Sequence, residues 1–342
     1  MSRCQGLMFL IAILVVGCPG PHSGSRGDLP LLTLVEDTEW PGSRIALYDG
    51  VHVTEGPSNS ILVSDVGNNV VFWISRGGEL LQEIGRSGYG PGEFSHPSES
   101  FYDDDLKKLW IADRSQGRLT TYCLKEGTFR LESTISSQSI WGGRYSSGLV
   151  VTHDSTLVIG ARSTSRAAYV IDLVSGEPIG SFGDWPLPED KTSTRDLCMW
   201  SVLAPMDSSR IALAWLFQPR LDIWNARGEN LQTRILDFPE IEDIQARSKR
   251  TGQNHLLAFT AGISGGKGIG EICYHVWLED LKQAVFYVIS AVDLEPKCRL
   301  KAEVEAPLGP QSILLANESD GTRVLYIVDV YSGSVRRFVS EP

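Results

Sequence analysis

The chain has 342 residues, 42% hydrophobic and 21% charged, which are globular values that exclude a disordered protein. Its formal net charge is −11 with no Lys/Arg-rich run, which excludes an electrostatic nucleic-acid footprint and disfavours adsorption to anionic lipid. The 34 Gly and 17 Pro are spread along the chain as punctuation, as many short strands joined by tight turns require.

The first element is a leader. Arg3 supplies a positive start, and an apolar stretch from Leu7 to Val16 follows. It is far shorter than the roughly 20 residues of a membrane span. It ends in Val15-Val16-Gly17-Cys18, which resembles the bacterial lipobox. That resemblance implies a signal peptide over 1–17, cleavage after Gly17 and acylation of Cys18. Several acyl chains, each burying methylenes at roughly 0.8 kcal/mol apiece, make a stable anchor. An ordinary secretory signal cleaved nearby is the alternative. Pro19 departs from the Asp that marks inner-membrane retention in enteric bacteria. Residues 18–28, rich in Pro, Gly and Ser, read as a flexible tether, and 29–342 remain for one folded domain. The implied address is the bacterial cell envelope, lipid-anchored, on the periplasmic or cell-surface side.

A repeat begins after a strand-like run at Leu31–Val35. Each unit is an apolar strand, a polar turn and a second strand with an aromatic. Units occur at 61–74, 109–124, 157–173, 211–224, 276–289 and 325–339. The residues ending the first strand are Asp65, Asp113, Ala161, Trp215, Glu279 and Asp329, spaced by 48, 48, 54, 64 and 50. Six residues beyond each stands a small or apolar residue, from Val71 to Val335. A period near 50 with several strands per unit predicts a β-propeller of six four-stranded antiparallel blades. Leu31–Val35 is expected to complete the last blade and close the ring. Asp65, Asp113, Glu279 and Asp329 are expected to accept backbone N–H groups at the turns.

Between the first two units lies Glu83-Ile-Gly-Arg-Ser-Gly-Tyr-Gly-Pro-Gly-Glu-Phe94, followed by Pro97. With Ile111-Ala112-Asp113 and Arg118-Leu119, it resembles the inter-blade signature of NHL-type repeats. The chain as a whole is similar to the bacterial six-bladed β-propeller lipoproteins, relatives of the NHL and TolB-like propellers. The signature covers 61–122, whereas the later units match by rhythm and lack a second such loop. Physically, Gly85, Gly88, Gly90 and Gly92 suit positive φ in a tight crossover, and Phe94 is expected to plug between blades.

Candidate chemistry is sparse. Arg118, Arg166 and Arg220 each stand five residues beyond an anchor and so share a face of the ring. They could form a cationic rim, or each could bond turn carbonyls or an acid of its own blade. Insertions at 183–200, with Trp185, and at 239–256, polar with helical spacing, interrupt the rhythm on that face. His96 is a further binding candidate. Gly262–Gly270 lacks the Ser/Thr and following helix of a phosphate loop and reads as a strand connection. Asp103-Asp104-Asp105 reads as a turn, because the spaced oxygens and Gly of a calcium loop are missing. No metal site and no cofactor are expected, with calcium left as a possibility that no motif supports. Among Cys123, Cys198, Cys273 and Cys298, the pair Cys273 and Cys298 is nearest in sequence and could bridge strands of one blade.

The reading is a monomeric, membrane-tethered binding module for a protein, peptide or glycan at one face, without nucleic acid and without a recognised catalytic set. The alternative is a channel-metal propeller enzyme, a lactonase- or esterase-like hydrolase or an NHL-type lyase. It would draw on His52, Glu55, His153, Asp154 and Asn317.

Overall fold

Runs such as Ile61-Leu62-Val63 followed by Val70-Val71-Phe72-Trp73-Ile74 are apolar on both faces of a strand, so the sheet they build must be covered on both sides. The computed structural model describes residues 29–41, 45–136, 145–152, 156–162, 166–184, 201–207, 209–215, 218–251, 263–265, 270–276, 283–303, 310–318, 320–329 and 332–341. The leader, Cys18, the tether, Trp185, Cys198, His153, Asp154 and Glu279 lie outside them.

The first strand, β1, is Leu31–Asp37. The first blade is β2 (Gly50–Glu55), β3 (Ile61–Asp65), β4 (Val70–Ile74) and β5 (Leu80–Ile84). The second is β6 (Pro97–Asp103), β7 (Lys108–Asp113), β8 (Arg118–Lys125) and β9 (Thr128–Ser136). The third is β10 (Tyr145–Val151), β11 (Thr156–Arg162), β12 (Arg166–Asp172) and β13 (Pro178–Asp184). The fourth is β14 (Ser201–Pro205), β15 (Arg210–Trp215), β16 (Arg220–Asn225) and β17 (Asn230–Ile235). Helix α1 (Pro239–Thr251) follows. The fifth blade is β18 (Ile263–Gly265), β19 (Glu271–Val276), β20 (Gln283–Ser290) and β21 (Pro296–Glu303). The sixth is β22 (Pro310–Asn317), β23 (Arg323–Asp329) and β24 (Ser334–Ser340), completed on its outer edge by β1. The first strands touch in a closed cycle, β2 to β6, β10, β14, β18, β22 and back to β2. The protein is a six-bladed β-propeller.

The core is a set of layers between blades. Ile61, Val63, Phe72 and Ile74 face the sixth blade, with Val324, Tyr326 and Val328. Leu62, Val71 and Trp73 face the second blade, with Leu109, Ile111 and Tyr122. The residues six beyond each anchor, Val71, Leu119, Ala167, Leu221, Val285 and Val335, are all buried in these layers. Each blade therefore stabilises both neighbours.

Closure uses both edges of β1. Its second half pairs antiparallel with β24, from Leu34↔Ser340 to Asp37↔Arg337. Its first half pairs parallel with β21, from Leu31↔Arg299 to Leu34↔Ala302. The fifth and sixth blades thereby become one eight-stranded sheet. Arg336 clasps Glu36 at 2.7 and 2.5 Å, and Arg337 reaches Asp37 at 2.5 Å.

Asp65 and Asp113 tie the chain entering their blades to the turn between second and third strands, and Asp329 braces its own turn. Asp65 accepts N–H bonds from Tyr48 (2.8 Å), Asp49 (3.2 Å) and Asn68 (3.0 Å). Asp113 does the same for Ser95 (2.8 Å) and Gln116 (3.0 Å). Asp329 accepts from the Ser332 hydroxyl at 2.8 Å. The fourth blade has Trp215 at the anchor position, and its indole donates at 2.7 Å to the fully buried Asp222 across the turn.

Three expectations need correction. The second strand of the fifth blade is Glu271–Val276, so the run 276–289 read as its unit begins where that strand ends. Cys273 and Cys298 are free thiols. They occupy one cross-strand row with Val288 between them. Strands two apart are about 10 Å apart, beyond the reach of a disulfide. Of the four crossover glycines, Gly85 (φ 85), Gly88 (φ 147) and Gly92 (φ 72) are left-handed, but Gly90 is not. A Cβ on Gly85 would meet the Phe94 ring at 2.2 Å. Phe94 itself is fully buried between the first two blades.

His275, buried on β19, packs beside Phe286 with ring centroids 5.1 Å apart. Burial pushes its imidazole from 6.5 down to about 3. The unfolded chain binds the proton first, so stability is lost as pH falls from about 6.5 towards about 3. By about pH 5 the loss is on the order of 2 kcal/mol. Urea midpoints should therefore fall more steeply with pH for the native chain than for His275→Gln. Parallel pH profiles would refute the assignment.

Candidate site at the crossover face

Antiparallel blades place two kinds of connection on one face: the crossovers between blades and the turns between second and third strands. Arg118, Arg166 and Arg220 open the third strands β8, β12 and β16 and so share this crossover face. Each is engaged inside its own region. Arg118 is 7% exposed and donates to the carbonyls of Tyr89 (3.1 Å), Gly90 (3.0 Å) and Glu93. It staples the glycine-rich crossover onto the second blade. Arg166 pairs with Asp184. Arg220 bonds Asp222 at 2.9 Å and lies over the Trp215 ring. Arg118 therefore bonds carbonyls of the preceding crossover, and Arg166 and Arg220 pair with acids of their own blades, so the three do not form an open cationic rim.

The remaining predicted elements also have defined places. Glu93 folds back on its own loop, accepting from Gly90 N–H at 2.8 Å and from Arg86 at 2.7 Å. Asp103 accepts the N–H groups of Asp105 (2.9 Å) and Leu106 (3.1 Å) and makes the expected turn. Ile263–Gly265, within the glycine run, is the innermost strand of the fifth blade. The insertion beginning at Pro239 is α1, started by that Pro with Glu240 and Glu242 in the first turn. Phe238, Ile241 and Ile244 bury its inner side between the fourth and fifth blades. Tyr287 donates to Glu240 at 2.7 Å, and Arg299 pairs with the same carboxylate.

Among the described residues, the innermost strands of the first two blades carry a polar constellation. β-Bulges interrupt β2 between Gly50 and His52, and β6 between Pro97 and Ser100. A bulge breaks the two-residue alternation and re-aims side chains. On β6, Ser98, Glu99 and Ser100 are buried, as is the rest of the strand. Ser100 N–H donates to His52 Nδ1 at 3.4 Å, tying the second blade to the first. Nδ1 is thus the acceptor nitrogen, and Nε2 carries the proton. Arg114, one residue past the anchor Asp113, donates to Glu99 Oε1 at 3.3 Å. Its own N–H bonds the carbonyl of His96 at 3.0 Å. Glu99 is 7% exposed, and its second oxygen, Oε2, finds no partner among the described residues.

The charges within this group are coupled. Enclosure holds His52 below the usual imidazole range, with the Glu99 carboxylate opposing. His96 is lowered by its surroundings and next by the Arg114 guanidinium, while Asp113, Glu99 and Asp49 pull the other way. His96 thus belongs to the group, whereas Glu99 and Arg114 were not singled out by the sequence. Glu55 lies at the far end of β2, near Arg76 and Asp104, and burial raises its carboxyl. Asn317 ends β22 on that same opposite face, its carbonyl 3.2 Å from Arg76. His52, Glu55 and Asn317 therefore do not converge. Among the described residues, no three His, Cys, Asp or Glu side chains are placed to share an ion.

The comparisons with known proteins concern the fold. Residues 49–139, which include every member of this constellation, match the model of a family described as 6-bladed beta-propeller. No curated protein sequence matches. Among solved structures, the chain is similar to a Bacteroides fragilis protein described as exported, at 12% identity and TM-score 0.56, over 90% of this chain and 94% of that one. It is similar to a streptogramin B lyase at 11% identity and TM-score 0.55, over 91% and 98%. It is also similar to virginiamycin B lyase of Staphylococcus aureus at 10% identity and TM-score 0.51, over 91% and 99%. At such identities the likeness is one of fold, not of activity.

The contrast between two arginines checks the site's architecture. Arg118→Met should cost about 2–4 kcal/mol in urea unfolding, because buried carbonyls lose charged donors. Arg166→Met, removing an exposed pair, should cost less than about 1 kcal/mol. Equal costs would contradict the assigned roles.

Proposed function

We propose that this propeller is a lipid-tethered binding module of the bacterial cell envelope that takes its ligand at the crossover face, between the first and second blades. The observation that carries the reading is Glu99, a nine-tenths buried carboxylate on an innermost strand whose Oε2 is unpartnered among the described residues. A buried acceptor left unbonded costs about 1–3 kcal/mol, more when charged. Oε2 is covered in this structure, so a ligand recovers that cost by displacing the groups over it and bringing a donor. The partner is a protein, peptide or glycan, bound by a monomer.

The address rests on the leader. The Gly17-Cys18 junction supports acylation of Cys18, and residues 18–28 would give the ring a tether of roughly 18 Å mean reach. Likeness to an exported Bacteroides fragilis protein adds support. β1 lies on the outer edge of the sixth blade, so an anchor joined through it attaches at the rim and leaves the central mouth clear. The left-handed glycines and buried Phe94 at the first blade junction support kinship with the NHL and TolB-like propellers.

Two measurements test this reading. The wild-type chain should incorporate labelled palmitate and enter the detergent phase, and Cys18→Ser should do neither. An unlabelled, water-phase wild-type protein refutes the anchor. Hydrogen exchange of the full chain with and without envelope extract should then show protection at 86–100 and 112–118. Protection confined to the opposite-face turns, or none at all, refutes the crossover-face site.

A further inference from the structure

Resting on the lipid-anchor part of that reading, we infer that the outward face of β1, the strand that follows the tether, seats the ring edge-on against the bilayer, with Leu31 and Val35 at the boundary between headgroups and acyl chains. Alternation along β1 defines this face. Leu34 is buried, and Leu32 partly buried, in the core between the fifth and sixth blades. Leu31, Thr33 and Val35 point the opposite way and are exposed. Leu31 is 54% exposed and Val35 50%. Four residues apart on one strand, they make a line about 13 Å long. Val339 stands across from Val35 on β24 and is half-buried.

The occupant follows from what β1 has already used. Both of its edges are paired, one to β21 and the other to β24, so a partner's strand has no edge to add to. Binding there uses side chains alone. A stable protein interface buries about 800 Å² on each partner, far more than two half-exposed aliphatic side chains offer. A bilayer asks for less, because the acyl chains of the anchor carry the affinity and a second, weaker contact then fixes orientation. The chain leading to β1 also ends in the right place. Residues 18–28 join Cys18, the acylation site, to Leu29 and β1. A coil of that length reaches roughly 18 Å on average, so β1 is the part of the ring held nearest the lipid.

Charge agrees. The chain carries −11 overall, yet β21 sets Arg299 beside Leu31 and Lys301 beside Thr33. Arg299 pairs with Glu240 and Lys301 with Glu303. The ground around the two aliphatics is therefore balanced, whereas the protein as a whole repels anionic lipid. The long stems of Arg299 and Lys301 suit such a boundary, since they lie along apolar surface while their charged heads stay in water. Leu231 and Ile235 on β17 provide an internal comparison. They are 50% and 64% exposed, but on the fourth blade. They turn toward the third blade, as Thr233 between them does by bonding Asp222.

The test places the full acylated chain in phosphatidylcholine liposomes whose acyl chains carry a photoactivatable group, and maps lipid adducts by mass spectrometry. Adducts are expected on the peptide holding Leu31 and Val35, and at least about fivefold fewer on the peptide holding Leu231 and Ile235. The double variant Leu31→Ser, Val35→Ser should still float with the liposomes through Cys18, but its β1 adducts should fall about fivefold or more. Both side chains are exposed, so circular dichroism and the unfolding midpoint of this variant should match wild type. If it fails to fold, the wild-type map decides. Liposome-bound wild-type protein with β1 unlabelled, or labelled no more than β17, overturns the seating and leaves the anchor intact. Adducts on β1 that persist in the folded double variant overturn it too. Wild-type protein that stays in the aqueous phase overturns both.

Discussion

Every blade of this ring has two apolar faces, and neither can be buried without a neighbour on that side. Ile61 and Val63 point to one partner and Leu62 to the other, from a single strand. No blade is therefore a folding unit on its own, and the ring is stable only when closed. Closure falls on β1, which lies 300 residues before the strand segment it clasps through Arg336 and Arg337. The anchor acids serve the same end locally. By gathering N–H groups from the incoming chain and from the turn, Asp65 and Asp113 fix where one blade stops and the next begins.

This constraint explains what could be read in advance. The second and third strands of a blade are covered on both faces and carry near-continuous apolar runs, so Ile61–Ile74 and Leu109–Leu124 announce themselves. The first and fourth strands have one open edge and mixed composition. Leu80–Ile84, mostly exposed, has no comparable signature. The fifth blade slipped for a related reason. Its second strand, Glu-Ile-Cys-Tyr-His-Val, buries His275 among apolar neighbours, and an ionisable residue interrupts the pattern a reader follows. The repeat arginines were legible in position, and pairing with acids of their own blades was one of two readings open for Arg166 and Arg220, whereas the partners of Arg118 were not, because its carbonyls come from another blade's loop.

The candidate site was less legible still, and for a geometric reason. In Pro-Ser-Glu-Ser-Phe-Tyr-Asp, Glu99 looks like the solvent-facing residue of an alternating strand. The strand β6 is instead buried along its whole length, as an innermost strand packed among its neighbours, and Glu99 is buried with it. Arg114 sits in a turn, one residue past an anchor, in a place that ordinarily needs no explanation. His52 and Glu99 lie 47 positions apart and meet only because two blades stack. A weak signal did exist: His96, Pro97 and Glu99 follow directly on the glycine-rich crossover, three of whose glycines are left-handed.

The fork made by β1 also has a mechanical meaning. Strands that carry force along their length break many hydrogen bonds at once, whereas strands peeled from one end break them singly. A pull applied before Leu29 runs along β1, which is bonded on one edge to the fifth blade and on the other to the sixth. Such a load is shared by two ladders in shear, and by the ion pairs at Glu36 and Asp37. The strand that seals the ring is thus also its best-placed handle, and traction on it tightens a seam where it would otherwise unzip a blade.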